Sequence, residues 1–348
     1  MDSVALETLL LALGLVLSFL VAVSLGANDA AEPTDCAVGA GVISIRRAVI
    51  LFAIFTAAGA LTQGFMVMKT IGKGIVPEIS IPGAFAAVLA TFIWVSLVAS
   101  RVGIDVSVTH TIVGAVLGYG LVAYGLHKLN LGVLMMTILS WVSSPLSSMF
   151  LAYVLYKLIV WILEKARVDV YSEGVEKTLS YFLIGSLAFS AYAFGANDIA
   201  NATGVYVTIA ERVGRMPDYT AMIALAAFGS AGIAIGGLTM GPRVIETMAF
   251  KITRLNVISG FAAELSNALV VYLFTTVPYI LIGFGMPIST SLATAGSLIG
   301  VGLASGGRKG VNPDIVTKLA TFWVLTVPVS ATLSAAIYYA VITLMGMA

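Results

Sequence analysis

Seven stretches of this chain, 9–27, 48–68, 79–100, 129–156, 178–197, 219–242 and 319–348, contain no charged residue. Each is near or above the ~20 residues that a membrane-spanning helix requires. The stretch 265–307 is also free of charge and is long enough for two spans, with Pro278, Gly283, Gly285 and Pro287 marking the break between them. Only 10% of the residues are charged and 59% are hydrophobic, whereas an average soluble domain carries roughly 25% charged residues. No soluble fold has enough polar surface to cover such a chain, and the class is an all-α polytopic membrane protein. A net charge of +1 without a basic patch gives no case for nucleic acid. The single cysteine, Cys36, cannot form an intrachain disulfide. Asp2 and Glu7 flank the first span where a cleavable signal would show basic residues, so that span is expected to be retained.

The chain also repeats itself. Gly26-Ala27-Asn28-Asp29 recurs as Gly195-Ala196-Asn197-Asp198, an offset of 169. Lys69-Thr70-Ile71 pairs with Glu246-Thr247-Met248 at 177, and Val106-Ser107-Val108-Thr109 with Ile288-Ser289-Thr290-Ser291 at 182. Leu117-Gly118-Tyr119-Gly120 answers Ile299-Gly300-Val301-Gly302, and Trp141 answers Trp323, again at 182. An ordered series with a slowly drifting offset predicts two homologous halves, 1–163 and 179–348, joined by the charged linker 164–178.

The first half reads as five spans, 4–27, 48–68, 80–100, 108–126 and 130–162, with non-spanning breaks around 28–46 and 101–108. An odd count inverts the second half. Arg46, Arg47, Arg101, Lys165 and Arg167 then share a side with Arg243, Lys251, Arg254, Arg308 and Lys309, leaving Lys128 and the Glu211 to Arg215 group opposite. The bias of short basic loops places the first set and the linker in the cytoplasm, with both termini outside. Two inverted-topology repeats with broken or re-entrant helices, about 10–12 transmembrane segments in all, form the layout of secondary transporters, whose sites sit where broken helices meet near the bilayer midplane.

Ser107 and Ser289 each stand where a helix should start, followed by Thr109 and His110 in one half and by Thr290 and Ser291 in the other. A helix N-terminus leaves N–H groups free and carries roughly half a positive charge. Two such ends facing each other would frame a tetrahedral oxyanion. Membrane serines and threonines also bond to the preceding turn or permit close packing, which is the alternative here. Asp29 and Asp198 need something else, because a charged aspartate in the membrane costs at least ~2.5 kcal/mol and no Lys or Arg lies within either motif. Carboxylate, amide and carbonyl oxygens suit a small hard cation such as Na⁺, and the motif glycine is expected to turn backbone carbonyls toward it. Protonated aspartates, or an Asn-Asp pair that only caps a following helix, would also fit.

"GANDAAEPTDCAVGAGVIS", "FGANDIANATG", "RVIETM" and "GFAAELSNALV", together with the two serine-led motifs, resemble the inorganic phosphate transporter family, which moves phosphate with Na⁺ or H⁺. The resemblance spans nearly the whole chain. It implies inverted repeats in the lipid bilayer, one site shared by inorganic phosphate and coupling cations, and a homodimer. By its pattern Asn28, Ser107, Thr109, His110, Asn197, Ser289, Thr290 and Ser291 would hold phosphate. Asp29 and Asp198 would hold Na⁺ with help from Asn28, Asn197, Asn201, Ser107 and Ser289. Three positions depart from that pattern: Glu32-Pro33 where an Asn is usual, Val108 in place of a Thr, and Leu292 in place of a second His.

With only His110 left as a natural proton carrier in this region, Na⁺ is the favoured coupling ion over H⁺. His110 could equally donate to phosphate or pack in the core. A metal-phosphate substrate, or another oxyanion such as sulfate, remains the alternative. Glu246 and Glu264 are candidate gating or ion residues, or else helix-end and interhelix polar groups. Trp94, Trp141, Trp161 and Trp323 are expected to anchor or pack. An intramembrane enzyme built on Asp and His110 would not need doubled half-sites, and a channel would not need a closed, ion-dependent one.

Overall fold

The computed structural model describes residues 3–99, 106–169, 172–214, 218–248, 255–307 and 313–346. Every regular element among them is helical. Lipid offers no water to backbone N–H and C=O groups, and a helix satisfies them within its own segment. The order is α1 Ser3–Asp29, α2 Asp35–Gly39, α3 Ile45–Gln63, α4 Phe65–Lys69 and α5 Ile81–Phe92, followed by α6 Val108–Tyr124 and α7 Leu131–Lys165. The second series is α8 Glu173–Thr203, α9 Val207–Gly214, α10 Asp218–Thr239, α11 Gly241–Met248, α12 Val257–Ile282, α13 Thr290–Gly306 and α14 Pro313–Leu344. Widened turns extend α4 through Thr70–Gly74 and α5 through Ile93–Ala99.

Eight of these helices, α1, α3, α5 with its extension, α7, α8, α10, α12 and α14, are long and apolar enough to cross a bilayer. Beside them stand α6 and α13, 17 residues each, about 26 Å at 1.5 Å per residue and so at the lower limit of the ~17–25 residues that can span a hydrocarbon core. Both short helices begin on a serine. The Ser107 hydroxyl accepts the His110 N–H at 3.2 Å, and the Ser289 hydroxyl accepts the Leu292 N–H at 3.3 Å. Helix α12 opens with a reciprocal cap between Asn256 and Ser259. It closes on Gly283, whose φ of 78° suits a residue without Cβ.

The packing repeats with the partners exchanged. Helix α1 packs on α10 as α8 packs on α3, and α8 packs on α12 as α1 packs on α5. Likewise α13 lies on α7 as α6 lies on α14, and α12 on α13 as α5 on α6. Glycines make the central crossings possible. A Cβ on Gly26 would fall 1.9 Å from the Ile233 carbonyl oxygen, and one on Gly236 would fall 2.0 Å from that of Val23. The matching crossing sets Gly195 against Thr56 O and Gly59 against Tyr192 O, each at 1.9 Å.

Three expectations change. The motif glycines do not turn carbonyls toward an ion, because Gly26 and Gly195 lie in regular helix and serve close approach. Nor does Asn-Asp cap a following helix: Asn28 and Asp29 end α1, while Asn197 and Asp198 lie inside α8, which runs on to Thr203. The linker contracts to the residues between Lys165 and Glu173. Its outer charges extend the helices instead, with Lys165 in the last turn of α7 and Glu173 and Glu176 in the first turn of α8, each matching the helix dipole. Arg101, Arg215, Lys251, Arg254, Arg308 and Lys309, used above for orientation, lie outside the described residues. Ion pairs tie the two series together at one corner, Lys73 to Glu211 and to Asp218 (3.1 Å), and Glu78 to Arg212.

Gly195→Ala should therefore destabilise the protein by about 1–3 kcal/mol or more, the range for overpacking. Gly185→Ala, in the same helix with no atom within 4 Å of its Cβ, should be neutral or stabilising by up to ~1 kcal/mol. Thermal unfolding in detergent compares the two, and equal midpoints would refute the close-crossing account.

Candidate functional site

The extended segment between Gly283 and Ser289 is backbone that α12 and α13 leave without helical partners. It is held by other parts of the chain. The Gly285 N–H donates to Met66 O at 3.1 Å and the Met286 N–H to Phe274 O at 3.2 Å. From the side-chain direction, Thr70 donates to Gly285 O at 2.6 Å, Asn197 to Met286 O at 2.9 Å, and the Trp141 indole to Pro287 O at 2.9 Å. Non-helical backbone survives at membrane depth only when protein supplies such partners. Asn197 also donates to the Thr275 hydroxyl at 2.7 Å, so one side chain of α8 grips both the break and the helix before it.

The next residue of α8, Asp198, collects contacts from both short helices. The Asn201 amide donates to its Oδ1 at 2.8 Å and to the Thr109 hydroxyl at 2.9 Å, and that hydroxyl lies 3.4 Å from the same Oδ1. The Thr290 hydroxyl, from the first residue of α13, lies against the same carboxylate. Asp198, Thr109, Asn201 and Thr290 are all buried. Three acceptor oxygens here, Asn197 Oδ1, Asp198 Oδ2 and Asn201 Oδ1, have no hydrogen-bond partner. Buried polar atoms are nearly always paired, and an orphaned set calls for a missing partner. Oxygens that accept and cannot donate fit a hard cation.

The other motif copy is arranged alike but differs in charge. Glu32 precedes Asn201 by the same 169 residues that separate Asp29 from Asp198, and Ser291 follows Thr109 by 182. The Ser291 hydroxyl donates to Glu32 Oε1, as Asn201 meets Thr109. Asp29 and Glu32 are both buried. Glu32, a departure from the family pattern in sequence, is also the position that the repeat offset assigns to Asn201 in the first half.

The remaining candidates divide. His110 is buried and leans on Trp141, with ring centroids 3.9 Å apart, and its Nδ1 has no partner. Ser107 and Ser289 are buried with their hydroxyls engaged as helix caps. Asn28 is half-buried on the last turn of α1. Glu246 is exposed on α11, in an open surface pocket with Arg46, Pro242 and Arg243. Glu264 is buried elsewhere, beside Asp35 and Cys36. Among the described residues no Lys or Arg forms an ion pair with Asp198.

The profile of the phosphate transporter family matches residues 25–334. A candidate phosphate permease of Pyrococcus abyssi is 33% identical, over 94% of this chain and 97% of its own. The sulfate permease CysP of Bacillus subtilis is 32% identical, over 95% of this chain and 86% of its own. A solved sodium-dependent phosphate transporter superposes with a TM-score of 0.82 at 29% identity, covering 95% of this chain and 98% of the other. These relatives are transporters and not enzymes, in keeping with eight helices able to cross a membrane. The chain is a multi-pass membrane protein and belongs to the phosphate transporter family.

Proposed function

We propose that the protein imports inorganic phosphate by symport with Na⁺, both bound between two inverted halves of the chain. The observation that carries this reading is Asp198, a buried carboxylate touched from the N-termini of both α6 and α13, with unpartnered oxygens of Asn197, Asn201 and its own Oδ2 around it. Na⁺ takes those oxygens. Phosphate takes the hydroxyls and free N–H groups at the two helix starts, where the dipoles favour an anion. A second Na⁺ at Asp29, in the half that carries Glu32, completes the neutralisation. His110, in the first turn of α6, serves as a donor to phosphate. In this reading the basic loops face the cytoplasm, both termini face outward, and two copies pair in the membrane.

Na⁺ is favoured over H⁺ because amide oxygens serve a metal ion directly and do not titrate. The solved structural relative is sodium-dependent. Sulfate is the competing substrate, since a relative at 32% identity is a sulfate permease. Glu32 argues for phosphate. At neutral pH phosphate keeps a hydroxyl that can donate to a carboxylate, whereas sulfate presents only acceptor oxygens and would be repelled.

Uptake of labelled phosphate into liposomes should rise steeply with an inward Na⁺ gradient. Asp198→Asn should lower that Na⁺-driven uptake by about tenfold or more, since losing 1.4 kcal/mol of ion binding is already a factor of ten. Uptake that ignores the gradient, or a variant that keeps its full Na⁺ response, would overturn the coupling. For substrate choice, sulfate should compete poorly with phosphate in the native protein and better in Glu32→Asn. Equal competition in both proteins would remove Glu32 from selectivity.

A further inference from the structure

Away from Asp198, two carboxylates and the chain's single thiol meet in a dry part of the core. Asp35 and Cys36 are the first residues of α2, and Glu264 lies two turns into α12. Their exposures are 5%, 1% and 1%. One ligand atom from each lies within 4.8 Å of the other two. The surrounding side chains are apolar, with Ala37, Leu183, Leu187, Ala262 and Ala263 packed in the same cluster as Cys36. Two buried acids at this range repel unless something positive or a proton lies between them. Among the described residues no lysine or arginine forms an ion pair with either.

A second observation points to an occupant. Neither Glu264 oxygen has a partner in hydrogen-bonding geometry, and Asp35 Oδ1 has none. Ser190 and Cys36 lie beside the Glu264 carboxylate. One turn further along α12, Asn267 is buried and its Nδ2 donates to that same Ser190 hydroxyl at 3.3 Å, while its Oδ1 is unpartnered. Acceptors therefore crowd this place and donors are scarce. A single bridging water has two hydrogens to donate, fewer than the three unpartnered carboxylate oxygens here.

We propose that Asp35, Cys36 and Glu264 bind a divalent d-block cation of the zinc type, with Asn267 Oδ1 available as a fourth ligand. The sulfur selects the metal. Thiolate ligands favour borderline-soft ions over Na⁺, Mg²⁺ or Ca²⁺, and a mixed set of one sulfur and two or three oxygens suits the low coordination number of zinc. The site shares no residue with the Asp198 cluster and does not depend on what that cluster transports. Because α2 packs on both α8 and α12, a bound ion would pin the segment following the first motif to two helices of the second series.

Purified full-length protein in detergent, stripped with a chelator and titrated with Co²⁺, tests the assignment without measuring transport. The expected result is one Co²⁺ per chain with a thiolate-to-cobalt charge-transfer absorption, and displacement of that Co²⁺ by Zn²⁺. Cys36 is the only cysteine, so this band in the native protein already identifies the sulfur, even if a variant fails to fold. Cys36→Ser should abolish the band. Glu264→Gln should weaken Co²⁺ binding at least ~tenfold, a loss that even outer-shell partners can produce. Asp198→Asn should leave both unchanged. No charge-transfer band, or Co²⁺ affinity equal in native and Glu264→Gln protein, would overturn the proposal.

Discussion

Everything at the centre of this molecule depends on supplying hydrogen bonds where lipid allows no water. The chain from Gly283 to Ser289 leaves helical geometry inside the protein, and it is held by Met66, Thr70, Trp141, Asn197 and Phe274, which come from four other stretches of the sequence. That bracing sets where α13 starts, and hence where its Thr290 and Ser291 hydroxyls point. A helix start presented to the interior of a membrane protein is useful only if its position is rigid. Asn197 links the two requirements, since it holds the break while its neighbour Asp198 receives Thr290.

Much of this was legible beforehand. Uncharged windows located the long helices because a spanning helix needs a nearly continuous apolar stretch. Ser107 and Ser289 announced the short ones because a capping hydroxyl acts on its own next turn, which is a local rule. The break near Gly283 and Pro287 was equally local. What stayed hidden was nonlocal. Gly26 and Gly195 read as backbone freedom beside an ion, yet their role is set by carbonyls of Ile233 and Thr56, which no inspection of the motif reveals. Trp141 read as an anchor or packing residue, and its indole turns out to brace Pro287 O. The convergence of Asp35, Cys36 and Glu264 likewise exists only once α2 lies on α12.

The two motif copies show how a duplicated plan can be kept in geometry and altered in charge. Pairs of crossing helices, their glycines and their capping serines recur with the partners exchanged. At the positions of Asn201 and Glu32, however, one copy offers an amide and the other a carboxylate, each still bonded to the hydroxyl at the start of the facing short helix. An amide can give an N–H to that hydroxyl and an oxygen to a cation. A carboxylate can only accept, so the hydroxyl must turn its hydrogen toward it. Ser291 donates to Glu32, whereas the Thr109 oxygen receives an N–H from Asn201.

This difference bears on the order of events in the proposed transport cycle. The Thr109 hydroxyl keeps its hydrogen available for an incoming oxyanion or for Asp198, while the Ser291 hydrogen is already committed to Glu32. A phosphate entering before any cation would find one half-site with a ready donor and the other presenting carboxylate. Repulsion between an anion and a buried carboxylate is weakly screened in a site closed to water. Under that proposal, a cation settling beside Glu32 would draw its electrons away from Ser291 and loosen their hydrogen bond, and the second helix start would then become a donor. In the proposed cycle, cation-first binding would thus follow from the direction of one hydroxyl as well as from net charge.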